Sequence, residues 1–380
     1  MNLHITNDNL GIYPLEIAKR IKNSGLKDNN LMINLSLESI YKEETISYIP
    51  FSKSRFKKYL QVIENIDKVI FHPYQYNSYL ILKILKKKYP KIKVYWAIWS
   101  SELYCLPPLP KSFFAPFSQE YVKKSRPFIQ KIKALKFIGS AILQLSYLTG
   151  IKKNHPKQLK KSFSEIDFFC SLLPSDFSYY KTRSGNNKTK HLPFAYLSLE
   201  QIMPALNTFN SSGNKIMIGH SASPKGNHFE VLSQLYELNK DFSIFLPLAY
   251  GEEEYANLIR SEALKKFADA EILTKKLEKP DYYDKLTEVG WAIINVKVQQ
   301  ALGNIVALLW MGVKLFLDEE SSTYKDFKNW GIHVFSVQHD LNSIELTEKL
   351  SPEEISNNKK IIFEKCNEEA VKGYWEPILK

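Results

Sequence analysis

The sequence predicts an α/β protein with two domains, each built around a parallel β-sheet. Short apolar runs alternate with amphipathic helical stretches, polar turns follow most of the apolar runs, and polar segments at 183–190 and 211–214 divide the series in two. The 380 residues suffice for two domains with complete cores. In such folds, ligands bind outside the carboxyl ends of the strands.

In the first half of the chain, the hydrophobic pattern predicts five strands and two helices. The strands are expected at 3–5, 31–35, 69–71, 93–99 and 167–173, and the helices at 13–23 and 78–88. His72 and Glu102 each follow one of these strands. Because parallel strands end at one edge of a sheet, both side chains are expected on the same rim.

In the second half, a new series begins with a strand at 215–219, a turn at 220–228 and a helix at 229–239. Its clearest unit is WAIINVKVQQALGNIVALLWMGVKLFLDEE, residues 291–320, which combines a strand, a polar turn, a helix ending at Gly312 and another strand. The first N–H groups of that helix, near Gly303 and Asn304, would face an anion such as a diphosphate. A buried βαβ unit with a purely structural turn is the alternative.

Composition excludes several classes of protein. Hydrophobic residues make up 44% and charged residues 24% of the chain, which excludes a disordered protein. The three cysteines form no CxxC pair, so neither a disulfide framework nor a zinc site is expected. The N-terminus lacks the pattern of a signal peptide, and a cytoplasmic location is expected.

The net charge of +12 is concentrated in one block. Residues 111–161 contain twelve Lys or Arg and one acid, Glu120. The apolar centre of this block, 137–148, is too short to span a bilayer. The pattern favours a helix lying on anionic inner-membrane lipid through Lys123, Lys124, Arg126 and Lys131. A solvated helical hairpin and a nucleic-acid arm are alternatives, but the block lacks the aromatic and Gly pattern of RNA recognition, so no nucleic-acid partner is expected.

An ordered set of short motifs carries a family resemblance. FHPYQYN, WAIWSSELY, IGHSASPKGNH, LPLAYG, KLEKPDYYDKL and VQQALGN occur in this order, within 68–110 and 215–340. The set resembles glycosyltransferase family 56, the 4-acetamido-4,6-dideoxygalactose (Fuc4NAc) transferases of enterobacterial common antigen. The resemblance implies a GT-B fold, with two Rossmann-like domains facing across a cleft. It also implies transfer of an amino-deoxy sugar from thymidine diphosphate (a TDP-sugar) to an undecaprenyl-diphosphate-linked oligosaccharide, by a peripheral enzyme on the cytoplasmic side of the membrane.

The expected domains follow from this resemblance and from the loop pattern. Residues 1–200 would bind the acceptor and carry the basic insert 111–161, 201–355 would bind the nucleotide sugar, and 356–380 would return as a helical segment to the first domain. The chain departs from the family at Val298, where the family has Arg, and at Glu102, where it has Asp. Transfer from a different nucleotide sugar is therefore an alternative. A non-catalytic, basic polyanion-binding protein is the alternative from another class.

Candidate site residues lie in the turns after strands. The acceptor hydroxyl would need a base, for which Glu102 and His72 are candidates, and His72 is alternatively a strand-end cap. No convincing DxD metal motif is present, so no cofactor and metal-independent stabilisation of the leaving diphosphate are expected. Candidates for donor and phosphate binding are Ser221, Ser223, Asn227, Tyr250, Lys297, Gln299, Gln300, Gly303 and Asn304, and candidates for ribose binding are Glu319 and Glu320.

Overall fold

The computed structural model describes residues 1–7, 12–35, 45–74, 78–104, 113–125, 161–203, 206, 208–238, 241–342 and 344–380. Tertiary contacts divide the chain into two compact units. The first unit comprises Met1–Leu109, Phe137–Ser198 and Glu368–Lys380, and the second comprises Pro110–Lys136 and Leu199–Asn367.

The strands and helices alternate along the chain, as the hydrophobic pattern predicts. The strands are β1 (Asn2–Thr6), β2 (Asn30–Asn34), β3 (Ile46–Tyr48), β4 (Lys68–His72), β5 (Lys93–Ala97), β6 (Phe168–Cys170), β7 (Lys190–Leu192), β8 (Lys215–Ile218), β9 (Ile244–Pro247), β10 (Ala270–Leu273), β11 (Val289–Ile294), β12 (Lys314–Leu317) and β13 (Phe335–Ser336). The helices are α1 (Ile12–Asn23), α2 (Lys53–Gln61), α3 (Ser78–Lys88), α4 (Ser101–Tyr104), α5 (Pro116–Ser125), α6 (Pro174–Ser184), α7 (Leu199–Ile202), α8 (His228–Leu238), α9 (Glu253–Lys266), α10 (Lys279–Thr287), α11 (Leu302–Trp310), α12 (Ser322–Trp330), α13 (Pro352–Cys366) and α14 (Glu368–Leu379).

Both sheets are parallel, and both reverse their strand order at one point. The first unit has the order β3-β2-β1-β4-β5-β6-β7 and the second has β10-β9-β8-β11-β12-β13. This is the Rossmann order, which opens a crevice at the carboxyl ends of the two strands that flank the reversal. The predicted α/β fold class is confirmed, and the crevices fall at β1/β4 and β8/β11.

The core of the first unit includes its C-terminal helix. Val371 and Trp375 of α14 are buried in one cluster with residues of α1 and of several strands of the first sheet. Trp375 Nε1 donates to the Ala195 carbonyl at 2.9 Å, and Asn2 Nδ2 donates to the Leu379 carbonyl at 2.8 Å. These contacts attach the C-terminal helix α14 to the first sheet.

Helix α5 belongs to the second unit. Ser118 is fully buried there, and the Tyr121 ring lies 5.1 Å from Tyr255, centroid to centroid. The assignment of this part of the basic insert to the N-terminal domain is therefore wrong, because the inward side of the helix matches the apolar surface of α8 and α9. Lys123 and Lys124 are exposed on α5, whereas Arg126 and Lys131 lie outside the described residues.

The β11–α11–β12 unit forms as the sequence predicts, with Gly312 at φ +86° in the turn after α11. Only a residue that tolerates the left-handed region fits there, which explains why the helix ends at this glycine. Among the described residues, every helix is too short or too polar to cross a bilayer.

Candidate active site

The start of α11 is open to an anionic ligand. Ala301, the residue before the helix, adopts φ +59°, and no side chain caps the first turn. The first intrahelical bond at this end runs from the Ile305 N–H to the Ala301 carbonyl, so the N–H groups of residues 302–304 lack helical partners. Gly303 is exposed, and a Cβ there would meet no atom within 4 Å. This helix end lies at the β8/β11 crevice, where the helix dipole favours a negative charge.

Two glutamines precede this helix with unpartnered amide oxygens. The Oε1 atoms of Gln299 and Gln300 are buried and have no hydrogen-bond partner in the described chain. Buried polar atoms are normally hydrogen-bonded, so these two amide oxygens are candidates for contact with a ligand. Lys297, in the same loop, instead forms an ion pair with Glu320 at 3.1 Å, which joins the loops after β11 and β12.

The turn after β8 is shaped by a buried histidine. Gly219 has φ +68°, and a Cβ there would lie 2.2 Å from His228 Nε2, so only glycine fits. Burial lowers the pKa of His228 to about 3 and that of His220 to about 4. His220 Nε2 lies 3.3 Å from Ser221 Oγ, while its Nδ1 is buried without a partner in the described residues. Both imidazoles are therefore neutral at physiological pH, and sequence reasoning missed His220 although it lies in a quoted motif.

Asn227 holds three segments of the second unit together. It is fully buried with φ +49°, and its Oδ1 accepts from the Ala115 N–H at 2.8 Å. Its Nδ2 donates to the Asn295 carbonyl at 2.9 Å and contacts the Phe113 carbonyl at 3.5 Å. This contradicts the prediction that the Asn227 side chain contacts phosphate, because both ends of the amide are already bonded to the backbone. Asn227 positions the loop after β11.

The turn after β9 lies beside the turn after β8. The Ala222 N–H donates to the Tyr250 carbonyl at 2.6 Å, and Ala222 pairs with Gly251 in a parallel bridge. Tyr250 is 75% exposed, so its ring is accessible to a ligand. Ser223 is half-buried in the same turn and Ser221 is buried. Contact of Tyr250 or either serine with a ligand stays a prediction.

The loop after β12 contains one acid that sequence reasoning missed. Asp318 is buried, accepts from the Glu320 N–H and from Gln338 Nε2 at 2.8 Å each, and has its pKa raised by burial. Glu319 lies 3.4 Å from His339 Nε2. The predicted ribose contacts of Glu319 and Glu320 stay predictions.

In the first unit, Glu102 has the properties of a proton acceptor near neutral pH. It is 8% exposed, and burial raises its pKa from 4.5 to about 7. Its Oε1 accepts from the Trp99 N–H at 2.8 Å and from Trp96 Nε1 at 3.2 Å. Its Oε2 is buried and has no partner in the described chain. A carboxylate with this pKa and one unused oxygen suits general-base catalysis.

The turn that carries Glu102 is strained and aromatic. Ser100 adopts φ +87°, a conformation that non-glycine residues avoid and that concentrates at functional sites. Trp99 Nε1 is also buried. The Trp99 ring lies 4.8 Å from Tyr13 and 6.3 Å from Tyr196. Sequence reasoning missed these aromatic residues, because Tyr13, Trp99 and Tyr196 are far apart in the chain.

His72 does not have the predicted exposure. It is fully buried, its Nε2 lies 3.1 Å from His4 Nδ1, and its Nδ1 lies 3.0 Å from Tyr196 Oη. Burial holds its pKa well below 6.5. This placement contradicts a base that faces an acceptor, because both ring nitrogens already have partners. The side chain instead connects β1, β4 and the loop that carries Tyr196.

Within the described residues, no group of three or more His, Cys, Asp or Glu side chains is arranged to hold a metal ion. At the β8/β11 crevice, the start of α11 provides partial positive charge from its free N–H groups.

Several solved structures share this fold. HepE from Anabaena, in complex with UDP, matches with a TM-score of 0.63 and 10% identity, over 100% of this chain and 99% of HepE. A glycosyltransferase from Rickettsia africae ESF-5 matches with a TM-score of 0.61 and 13% identity, over 100% and 98% of the two chains. The lipopolysaccharide outer core galactosyltransferase WaaB matches with a TM-score of 0.59 and 10% identity, over 100% and 99%. These likenesses establish the fold as GT-B.

The chain also matches the model of a family with a defined activity. The family model described as "4-alpha-L-fucosyltransferase glycosyl transferase group 56" matches residues 169–376, more than half of the chain. The match includes the turns after β8, β9, β11 and β12. The chain is therefore a glycosyltransferase that belongs to glycosyltransferase group 56.

Proposed function

We propose that the second unit binds a nucleoside diphosphate sugar at the β8/β11 crevice, with the diphosphate at the start of α11. The observation that carries this proposal is that an uncapped helix start directly follows Gln299 and Gln300, whose buried amide oxygens have no partner in the described chain. An amide can present its oxygen to a hydroxyl or its nitrogen to a phosphate, so both glutamines suit a ligand that carries sugar and phosphate. The N–H groups of α11 would stabilise the negative charge that grows on the leaving diphosphate.

The donor we propose is a TDP-linked amino-deoxy sugar, such as 4-acetamido-4,6-dideoxygalactose. The support is the motif resemblance within the matched family region. A second candidate is a uridine diphosphate sugar, because HepE of the same fold was solved with UDP-glucose. Metal-independent transfer is part of the proposal, since the helix start and the loop amides supply the stabilisation.

Thermal unfolding with nucleoside diphosphates tests donor binding. We expect TDP to raise the unfolding midpoint more than UDP, and EDTA to leave the shift unchanged. A ligand at one hundred times its dissociation constant stabilises by about 2.7 kcal/mol. A larger shift with UDP than with TDP would show that the donor sugar is carried by uridine diphosphate. Loss of the shift in EDTA would contradict metal independence, and no shift with any nucleotide would contradict the donor site.

Substituting the two glutamines tests their contacts. Gln299→Ala and Gln300→Ala should each weaken binding of the nucleoside diphosphate sugar by about tenfold, because each removes one hydrogen-bonding group from the site. Isothermal titration calorimetry measures this change. Gln234→Ala removes an amide of α8 that donates to the Leu341 carbonyl, outside the candidate site residues, and serves as the control. Equal losses in all three variants would show a general disturbance of the unit rather than ligand contact.

On the acceptor side, we propose that Glu102 takes the proton from the attacking hydroxyl. The support is Glu102 Oε2, a buried acceptor that has no partner in the described chain, on a carboxyl whose other oxygen is fixed by the Trp99 N–H. A sugar hydroxyl that donates to Oε2 would satisfy this oxygen and place its proton beside the base.

The acceptor we propose is an undecaprenyl-diphosphate-linked oligosaccharide in cell-surface polysaccharide synthesis, reached from the cytoplasmic face of the membrane. The support is the basic block, of which α5 presents Lys123 and Lys124 as exposed side chains, and Phe117, which is 58% exposed. An exposed aromatic ring beside lysines is typical of a helix that lies on anionic lipid.

A further inference from the structure

A basic groove with an apolar floor lies between α2 and α3 of the first unit. Its volume is about 530 Å³. The lining combines five lysines with three aliphatic side chains, namely Lys53, Lys57, Lys83, Lys87, Lys88, Leu60, Leu80 and Ile84.

Helical spacing places these residues in rows along the groove. Lys53 and Lys57 are one turn apart on α2, and 80, 83, 84 and 87 follow the spacing of a single face on α3. Lys88 Nζ donates to the Leu60 carbonyl and, at 2.8 Å, to the Ile63 carbonyl. This lysine fixes α3 against the end of α2, so the two rows are held side by side.

The other four lysines have no acidic partner among the described residues. Lys53, Lys57, Lys83 and Lys87 are exposed, and none has an ion pair or hydrogen bond with a described residue. Like charges one turn apart repel each other. The first turn of α2 contains no acid, and the positive charge of Lys53 opposes the helix dipole there. An anion in the groove would relieve both effects.

We propose that this lysine groove docks the protein on a bilayer by binding the phosphate groups of anionic phospholipid. The lysine stems can lie along the apolar floor while their ammonium groups bind the headgroups. A soluble anion would leave Leu80 and Ile84 unused, whereas the acyl boundary of a membrane covers apolar side chains. The inference extends the membrane association proposed above to a second surface, outside the basic block, and does not depend on sugar transfer.

Vesicle co-sedimentation of the full chain tests the groove. The vesicles contain phosphatidylcholine alone or mixed with phosphatidylglycerol. Three variants with four Lys or Arg to Gln substitutions each are compared with the unmodified protein. The groove variant changes Lys53, Lys57, Lys83 and Lys87, the control changes the exposed Lys22, Lys27, Lys188 and Lys190, and the block variant changes Lys123, Lys124, Arg126 and Lys131.

We expect the groove variant to bind phosphatidylglycerol vesicles roughly a hundredfold more weakly, because each lysine near an anionic surface contributes to binding. The control variant should keep nearly all of its binding, and vesicles of phosphatidylcholine alone should bind none of the proteins. Equal binding by the groove and control variants would overturn the proposal. If only the block variant lost vesicle binding, the basic block 111–161 alone would dock the protein, and the proposal for the groove would be wrong.

Folding and donor binding are followed separately. The thermal midpoint of each variant shows whether it is folded, and the pairs Lys53→Gln/Lys57→Gln and Lys83→Gln/Lys87→Gln replace the quadruple variant if it is not. Each pair should lose about tenfold in vesicle binding, and no loss in either pair would also overturn the proposal. Binding of TDP in solution reports on the donor site alone, so failure of the groove and failure of the proposed function give different results.

Discussion

Replacing Glu102 by Gln is expected to lower kcat by about a hundredfold to ten-thousandfold, while the affinity for the donor stays unchanged. Glutamine has the same shape, so its Oε1 can still accept from the Trp99 N–H and from Trp96 Nε1. Its amide cannot take a proton from the acceptor hydroxyl. Steady-state turnover, with donor affinity measured separately by calorimetry, distinguishes a lost base from a lost fold.

The pH profile gives a second measure of the same residue. Because the pKa of Glu102 is about 7, kcat/KM should rise as pH increases through about 7, where the carboxyl loses its proton. The Glu102→Gln variant should lose this rise. Glu64, an exposed acid in the same unit, provides the control substitution Glu64→Gln, which should keep both rate and profile. Full turnover in the Glu102→Gln variant would show that Glu102 is not the catalytic base.

Stability should change with pH in the opposite direction. Burial raises the pKa of Glu102 from 4.5 to about 7, so between these values the folded chain keeps a proton that the unfolded chain releases. The free energy of unfolding therefore falls as pH rises through this window, by about 3 kcal/mol in total. Glu102→Gln should be more stable relative to the unmodified chain above pH 7 than below pH 4.5. A variant that gains stability and loses turnover is typical of a substitution at a functional group whose burial destabilises the fold.

The sequence predicts most of the fold because its signals are local. Each strand, helix or turn is indicated by a pattern of about ten residues. The structure contains the predicted alternation of strands and helices, the polar turn at Gln299–Gln300 and the helix end at Gly312. Glu102 also follows a strand, as the hydrophobic pattern predicts. Its raised pKa could not be predicted, since the burial depends on how neighbouring strands pack.

The errors arise from contacts between distant parts of the chain. His72 contacts His4 because β1 pairs with β4, and no local pattern near either residue contains that pairing. The same holds for Asn227, whose partners come from the loops before α5 and after β11. The sequence does not predict the lysine groove, because its two lysine rows are separated in sequence and come together only where α2 and α3 line one pocket.

Asn227→Ala is expected to lower both stability and donor affinity. Removing the amide leaves the Ala115 N–H and the Asn295 carbonyl without their partner, and Asn295 is itself 7% exposed. Each buried group left unsatisfied costs about 1–3 kcal/mol, and alanine tolerates the φ of +49° less well than asparagine does. We expect a loss of about 3 kcal/mol in the free energy of unfolding. The substitution Asn214→Ala, at an exposed asparagine of the same unit, should cost little.

The donor effect follows from the position of Asn295 in the loop that leads to Gln299, Gln300 and the start of α11. Without the Asn227 bond, this loop must be ordered by the ligand itself, and that ordering reduces affinity, by about tenfold. Calorimetry with TDP measures the change under conditions where the variant is folded. Unchanged affinity would show that the loop is held by its other contacts, and Asn227 would then be purely structural.

Glu230→Ala separates this positioning effect from the anchoring of α5. The Glu230 carboxylate accepts from the Ser118 N–H at 2.9 Å and from Ser118 Oγ at 2.6 Å, so both of these hydrogen bonds are made to α5. Glu230→Ala should therefore destabilise the second unit but leave its affinity for TDP unchanged, whereas Asn227→Ala should lower both. If the two variants lost the same donor affinity, the common cause would be α5, and the binding site would depend on this helix rather than on the Asn227–Asn295 bond.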